Sequence, residues 1–98
     1  MATSVIPKPI RDISFTGATN PSSVTVSAYG FADVPLNWSR ANKTWLFCGH
    51  GYAGSTGLVI VNLWFNSDTL TAIVRSVVNQ SVTVAANKFS VVVGYRAD

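Results

Sequence analysis

Apolar and polar residues alternate at period two in three stretches: Ser23-Val24-Thr25-Val26-Ser27-Ala28, Thr69-Leu70-Thr71-Ala72-Ile73-Val74-Arg75 and Lys88-Phe89-Ser90-Val91-Val92-Val93-Gly94-Tyr95. Alternation sends successive side chains to opposite faces, so each stretch predicts a strand with one buried and one presented face. Further strands are expected over residues 12–16, 44–48 and 58–65, with a short one over 81–85. Gly17-Ala18-Thr19-Asn20-Pro21, Asn66-Ser67-Asp68 and Ala86-Asn87 carry turn chemistry, the second of them a tight hairpin loop. Residues 29–37 read as a connection into Trp38-Ser39-Arg40-Ala41-Asn42, where Gly30 and Pro35 limit any helical turn.

No segment sustains a three-four apolar repeat at helical length, and no internal repeat marks a solenoid or propeller. Six or seven short strands predict an all-β fold, a small antiparallel β-sandwich or jelly-roll-like barrel. Pro7 and Pro9 make residues 1–11 an extended N-terminal arm, which leaves 12–98 as a single domain. Strict alternation also assigns faces. Trp45 falls with Phe47. Val59, Val61, Leu63 and Phe65 form the more apolar face of the longest strand, so Asn62, Trp64 and Asn66 point outward or into a subunit interface.

Composition sharpens this picture. The 98 residues are 48% hydrophobic but only 11% charged, against roughly 25% charged in an ordinary soluble domain. A domain this small leaves about 40% of its unfolded-chain surface in water, so too little charge is available to cover it. A homo-oligomer that buries part of the surface resolves the shortage; hydroxyl-rich exposed faces are the alternative. The net charge of +3 reflects scarce acids, Asp12, Asp33, Asp68 and Asp98 with no Glu. No basic run provides the footprint of a nucleic-acid binder. The longest aliphatic run, Leu58-Val59-Ile60-Val61, is far short of the roughly 20 residues that span a bilayer. The N-terminus lacks the apolar region of a signal peptide. A single cysteine, Cys48, excludes an intrachain disulfide. Three Asn-X-Ser/Thr sequons, at Asn37, Asn42 and Asn79, are read as chance matches in a Ser/Thr-rich chain.

Catalytic motifs fail on their physics. Gly49-His50-Gly51-Tyr52-Ala53-Gly54 matches G-x-G-x-x-G, but a dinucleotide site needs a helix N-terminus after the glycines. Here a strand is expected instead, so the segment reads as a flexible loop. Cys48 and His50 have no third group to orient them as a nucleophilic pair. One His, one Cys and four dispersed Asp make a poor zinc set. No enzyme, cofactor or metal is expected.

Aromatic residues carry the binding candidates. Trp64 beside Asn62 and Asn66 suits a sugar, because an indole offers a flat apolar surface and an amide both donates and accepts hydrogen bonds. Packing of Trp64 against a sister subunit, or in the core, is the competing reading. Trp38 in the polar connection, and His50 and Tyr52 in the glycine loop, complete the candidate ligand set Trp38, His50, Tyr52, Trp64 and Asn66.

The order of these features resembles short β domains at the tips of bacteriophage tail fibres and receptor-binding proteins. It runs from Ile10-Arg11-Asp12-Ile13 through Ser23-Val24-Thr25-Val26-Ser27 and Trp45-Leu46-Phe47-Cys48-Gly49 to Asn66-Ser67-Asp68-Thr69-Leu70-Thr71-Ala72 and the last strand. It also looks like the H-type lectin sandwich, although Tyr95-Arg96 stands where that type usually has an acid, and the disulfides that type often has are missing. The resemblance implies a homotrimer in a virion tail that recognises host cell-surface glycans, with other virion proteins docking through the arm. It implies neither nucleic-acid binding nor membrane insertion. A capsid decoration or tail-assembly subunit is the alternative, and a non-viral lectin the second alternative.

Overall fold

The computed structural model describes residues 12–49 and 51–97. The expected arm over 1–11 and the candidate His50 lie outside the described residues. Eight strands appear: β1 (Ser14–Thr19), β2 (Val24–Val26), β3 (Phe31–Ser39), β4 (Lys43–Cys48), β5 (Leu58–Asn66), β6 (Thr69–Ser76), β7 (Val82–Val84) and β8 (Ser90–Ala97). They form three antiparallel sheets, ordered β1-β8-β4, β3-β6-β5 and β2-β7. The fold is all-β, as the alternation predicts. The two three-stranded sheets face each other across one core, and the β2-β7 ribbon covers one end of it.

The inner faces supply that core. Ala18, Phe89, Val91 and Val93 come from the first sheet, and Val34, Leu36, Trp38, Leu58, Leu70, Ala72 and Val74 from the second. Val26 and Val84 of the ribbon join them. Aromatic contacts bridge the layers at the end away from the ribbon. Trp38 meets Tyr95 at 5.6 Å between ring centroids, and Trp45 meets Phe65 edge-on at 5.6 Å. The Trp38 indole N–H is buried with no hydrogen-bond partner.

Four sequence expectations need correction. Gly17-Ala18-Thr19 is strand, not turn. Ala18 pairs with Val91 and is fully buried, so β1 runs on until Asn20 turns the chain. Residues 31–39 are a strand, not a connection. Pro35 is tolerated because β3 is an edge strand, where a missing N–H costs no ladder bond on the free side. Both face assignments fail for one reason, a β-bulge. In β4 the register shifts between Trp45 and Phe47, so Leu46 is extra and the two aromatics point to opposite faces. In β5 it shifts between Ile60 and Asn62, so Val61 is extra. Leu58 and Ile60 therefore share the inner face with Leu63 and Phe65, while Val59 and Val61 are exposed.

Asn20 shows how the chain is pinned at the ribbon end. It is 1% exposed, yet every polar group of its side chain is used. Its amide donates to the carbonyls of Ser22 (2.9 Å) and Ala85 (3.0 Å), and its Oδ1 accepts from the Phe89 N–H (3.0 Å). One side chain thus ties the end of β1 to the turn between β7 and β8. Replacing Asn20 with Ala leaves those three backbone groups without their partner. Such a loss costs about 3 kcal/mol, so chemical denaturation of Asn20→Ala is expected to show a much lower midpoint with an unchanged slope.

Candidate functional site

Residues paired across an antiparallel ladder share a face, so the register maps the outer surface of the β3-β6-β5 sheet directly. Reading across it, Phe31, Arg75 and Val59 form one row. The next row is Asp33, Ile73 and Asn62, and the next is Pro35, Thr71 and Trp64. Thr69 and Asn66 follow at the hairpin end. This face is largely uncharged, with Asp33 and Arg75 its charged members among the described residues.

Trp64 is the most structured part of this surface. It is 38% exposed and sits beside Thr71 on the central strand. Thr71 faces outward but is only 2% exposed, shielded between Pro35 and Trp64. Its hydroxyl donates to the Thr69 carbonyl at 3.2 Å, so the buried side chain is satisfied. Asn62 and Asn66 flank Trp64 on the same face and are exposed. The Asn62 side-chain oxygen accepts the Leu63 N–H at 2.8 Å, which orients its NH2 group as a free donor. A ring with a free face, a fixed amide and neighbouring hydroxyls can stack on the apolar face of a sugar and hydrogen-bond its hydroxyls.

The other candidates are not assembled with it. Trp38 belongs to β3 and is 7% exposed, packed between Phe65 and Tyr95 with the Lys43 ammonium over its ring. It is a core residue, and the loop placement that made it a ligand candidate is overturned by the strand pattern of residues 31–39. Tyr52 is exposed, and its backbone pairs with Ser90, extending the β4 side of the first sheet past Gly49. Gly51 permits this approach, since a Cβ there would collide with the Ser90 carbonyl oxygen. Tyr52 and Ser55 line a groove of about 360 Å³ against Leu58, Val59 and Ile60. Ile60 faces Val74 and Trp64 faces Thr71, so the bulge leaves three ladder steps between the groove and Trp64, about 10 Å at about 3.3 Å per residue, and Asn66 lies further along β5. Tyr52 and Trp64 therefore do not form one site, although Val59 borders both the groove and the sheet face.

A second outer surface was not foreseen. On the β1-β8-β4 sheet, Phe15, Gly94 and Phe47 form one row. The two rings meet at 5.7 Å between centroids, and a Cβ on Gly94 would stand 2.6 Å from the Phe47 ring. Gly94 is thus the floor on which Phe47 lies. Phe15, Phe47 and Val92 are 65%, 41% and 44% exposed, which makes this face an unpartnered apolar patch. Only the bulge at Leu46 puts Phe47 here, so strict alternation hides it.

The void between Val24, Val26, Leu58 and Phe89 is about 10 Å³, which holds at most a water. Among the described residues no group of three His, Cys, Asp or Glu side chains is placed to hold a metal, and no helix is long and apolar enough to cross a membrane. No protein-family model matches the chain, and no curated protein or solved structure is detectably similar to it.

Cys48 faces inward and accepts a hydrogen bond from the Trp45 indole N–H at 3.2 Å. Burial pushes its thiol above the usual cysteine range, and the Trp45 hydrogen bond offsets part of that rise. The thiolate fraction at pH 8 is accordingly below that of a free cysteine. Alkylation by iodoacetamide followed by mass spectrometry is expected to run slower than for glutathione at pH 8. The rate should keep rising at pH values where the free thiol has levelled off.

Proposed function

We propose that this chain is a non-catalytic binding module of the kind found at phage tail-fibre tips, and that it recognises neutral parts of cell-surface glycans through the outer face of β3-β6-β5. The observation that carries this reading is the setting of Trp64, an exposed indole paired across the ladder with the buried Thr71 and flanked by Asn62 and Asn66. Its backbone is fixed in the ladder of the sheet, so binding orders little main chain, which favours stacking. Seven of the eleven aromatic residues, Phe15, Tyr29, Phe31, Trp45, Phe47, Tyr52 and Trp64, are exposed. Surface aromatics in a weakly charged chain favour contact over catalysis.

The same reading gives the Phe15-Phe47 patch a role in self-association. Specific interfaces bury about 800 Å² on each partner with an apolar centre, and this patch supplies such a centre with no charged residue within its row. A homotrimer in a virion tail presents three copies of a shallow site, and avidity then compensates for weak single contacts.

Two measurements test the proposal. On a glycan array, wild-type protein is expected to bind a restricted set of glycans, and Trp64→Ala is expected to lose about tenfold or more in apparent affinity with its thermal midpoint little changed. No binding by a correctly assembled sample at millimolar glycan refutes the glycan reading. Light scattering is expected to return three chain masses for the wild type, and a single chain mass for the double variant Phe15→Ser, Phe47→Ser. A monomeric wild type refutes self-association.

A further inference from the structure

We propose that the Phe31-Arg75-Val59 end of the same sheet face is a subsite for the carboxylate of an acidic oligosaccharide whose neutral ring stacks on Trp64. This rests on the glycan reading above and names the class of glycan.

Three basic side chains sit over aromatic rings. Arg40 lies 4.6 Å from the Phe65 centroid and is paired with Asp68 at 3.3 Å. Lys43 lies over Trp38 and donates to the Ser39 carbonyl at 3.3 Å. Arg75 lies 5.3 Å from the Phe31 centroid, is exposed, and has neither an ion pair nor a hydrogen bond among the described residues. Its guanidinium is steadied by a ring while its N–H groups are left for a ligand. A planar fork of donors suits a carboxylate, which it can engage with two parallel hydrogen bonds.

Position on the face sets the size of the ligand. Arg75 and Thr71 are four residues apart on β6, so the charged row and the Trp64 row are separated by about 13 Å at about 3.3 Å per residue. An oligosaccharide spans that distance and a single sugar does not. Asp33 and Ile73 occupy the row between them. The Asp33 carboxylate does not reach Arg75 as an ion pair, and it disfavours a second anion in the middle of the site. The ligand charge is thereby confined to one end. The apolar flanks, Phe31 at 62% exposure and Val59 at 44%, reduce local hydration and strengthen a charged contact relative to open solvent.

The test uses the full chain and matched pairs of immobilised uronate tetrasaccharides, each with its carboxyl-reduced neutral counterpart. Wild type is expected to prefer the acidic member by about three- to tenfold. That preference should collapse at about 1 M salt, where the screening length falls to about 3 Å. Arg75→Gln is expected to bind both members as wild type binds the neutral one, and Arg75→Lys to keep part of the preference. Trp64→Ala is expected to weaken both members alike. Because Arg75 is exposed, a thermal melt of Arg75→Gln should match wild type. If wild type binds both members equally, or if the preference survives in Arg75→Gln, the subsite is refuted while the glycan reading stands. If wild type binds neither these probes nor any glycan on the array, both fall together.

Discussion

The fold depends on a one-residue insertion in each of two edge strands, β4 and β5, while the edge strand β3 carries a longer shift between Pro35 and Ser39. β4 and β5 each border a sheet, and each carries a single bulged residue, Leu46 in one and Val61 in the other. A bulge reverses the phase of alternation for everything beyond it. In β5 the reversal keeps Leu58, Ile60, Leu63 and Phe65 together against the core. Without it, either the first pair or the second would turn to water. In β4 the reversal lets Trp45 and Cys48 both face inward while Phe47 lies outside on Gly94. The bulges also twist these edges, which opposes indiscriminate pairing with other chains. One device therefore sets the core, the outer aromatic surfaces and the character of the free edges.

The two sides of the layered structure are held differently. On the β1-β3 side the link is polar, with the Thr19 N–H donating to the Asn37 side chain at 2.9 Å and Asn20 anchoring the neighbouring turn. On the β4-β5 side it is aromatic, through Trp45 on Phe65. Directional hydrogen bonds fix the geometry at one side, and broader ring contacts close the other near the hairpin end. Toward the opposite end of β5 no ring pair bridges the layers among the described residues, and there the groove beside Tyr52 and Ser55 opens.

Alternation made most of the strands legible, because it depends only on which side chains the core accepts. Residues 69–75 and 89–95 were readable for that reason, and Asn66-Ser67-Asp68 gave the hairpin through its turn chemistry, with Ser67 at a φ of +56°. β3 was obscured by Pro35, whose tolerance at an edge is a property of sheet order and not of local sequence. Face assignments on β4 and β5 failed because a bulge leaves no mark in an apolar run such as Leu58-Val59-Ile60-Val61. Trp38 was misplaced by polar neighbours: Asn37 and Ser39 make the segment look like a loop, while the indole between them packs inward as alternation within a strand requires. Trp64 and its amides were legible as an outward group. Their rows across the sheet needed the register, and so did the position of Arg75.

Low charge links these surfaces. With few charged residues to distribute, each outer face presents rings and neutral polar groups over wide areas, and an isolated charge on such a face is correspondingly conspicuous. Arg75 is the cation of its sheet face, steadied on Phe31 and lying two rows from Trp64 along a rigid central strand. Because both are held by one sheet, their separation does not vary with loop motion, and in the proposed reading a ligand stacked on Trp64 is measured against Arg75. In that reading selectivity arises from spacing on an open face. A flat site of the proposed kind binds weakly at each copy and gains from repetition; the proposed self-association through the apolar row of Phe15, Gly94 and Phe47, on the opposite sheet, leaves that site uncovered.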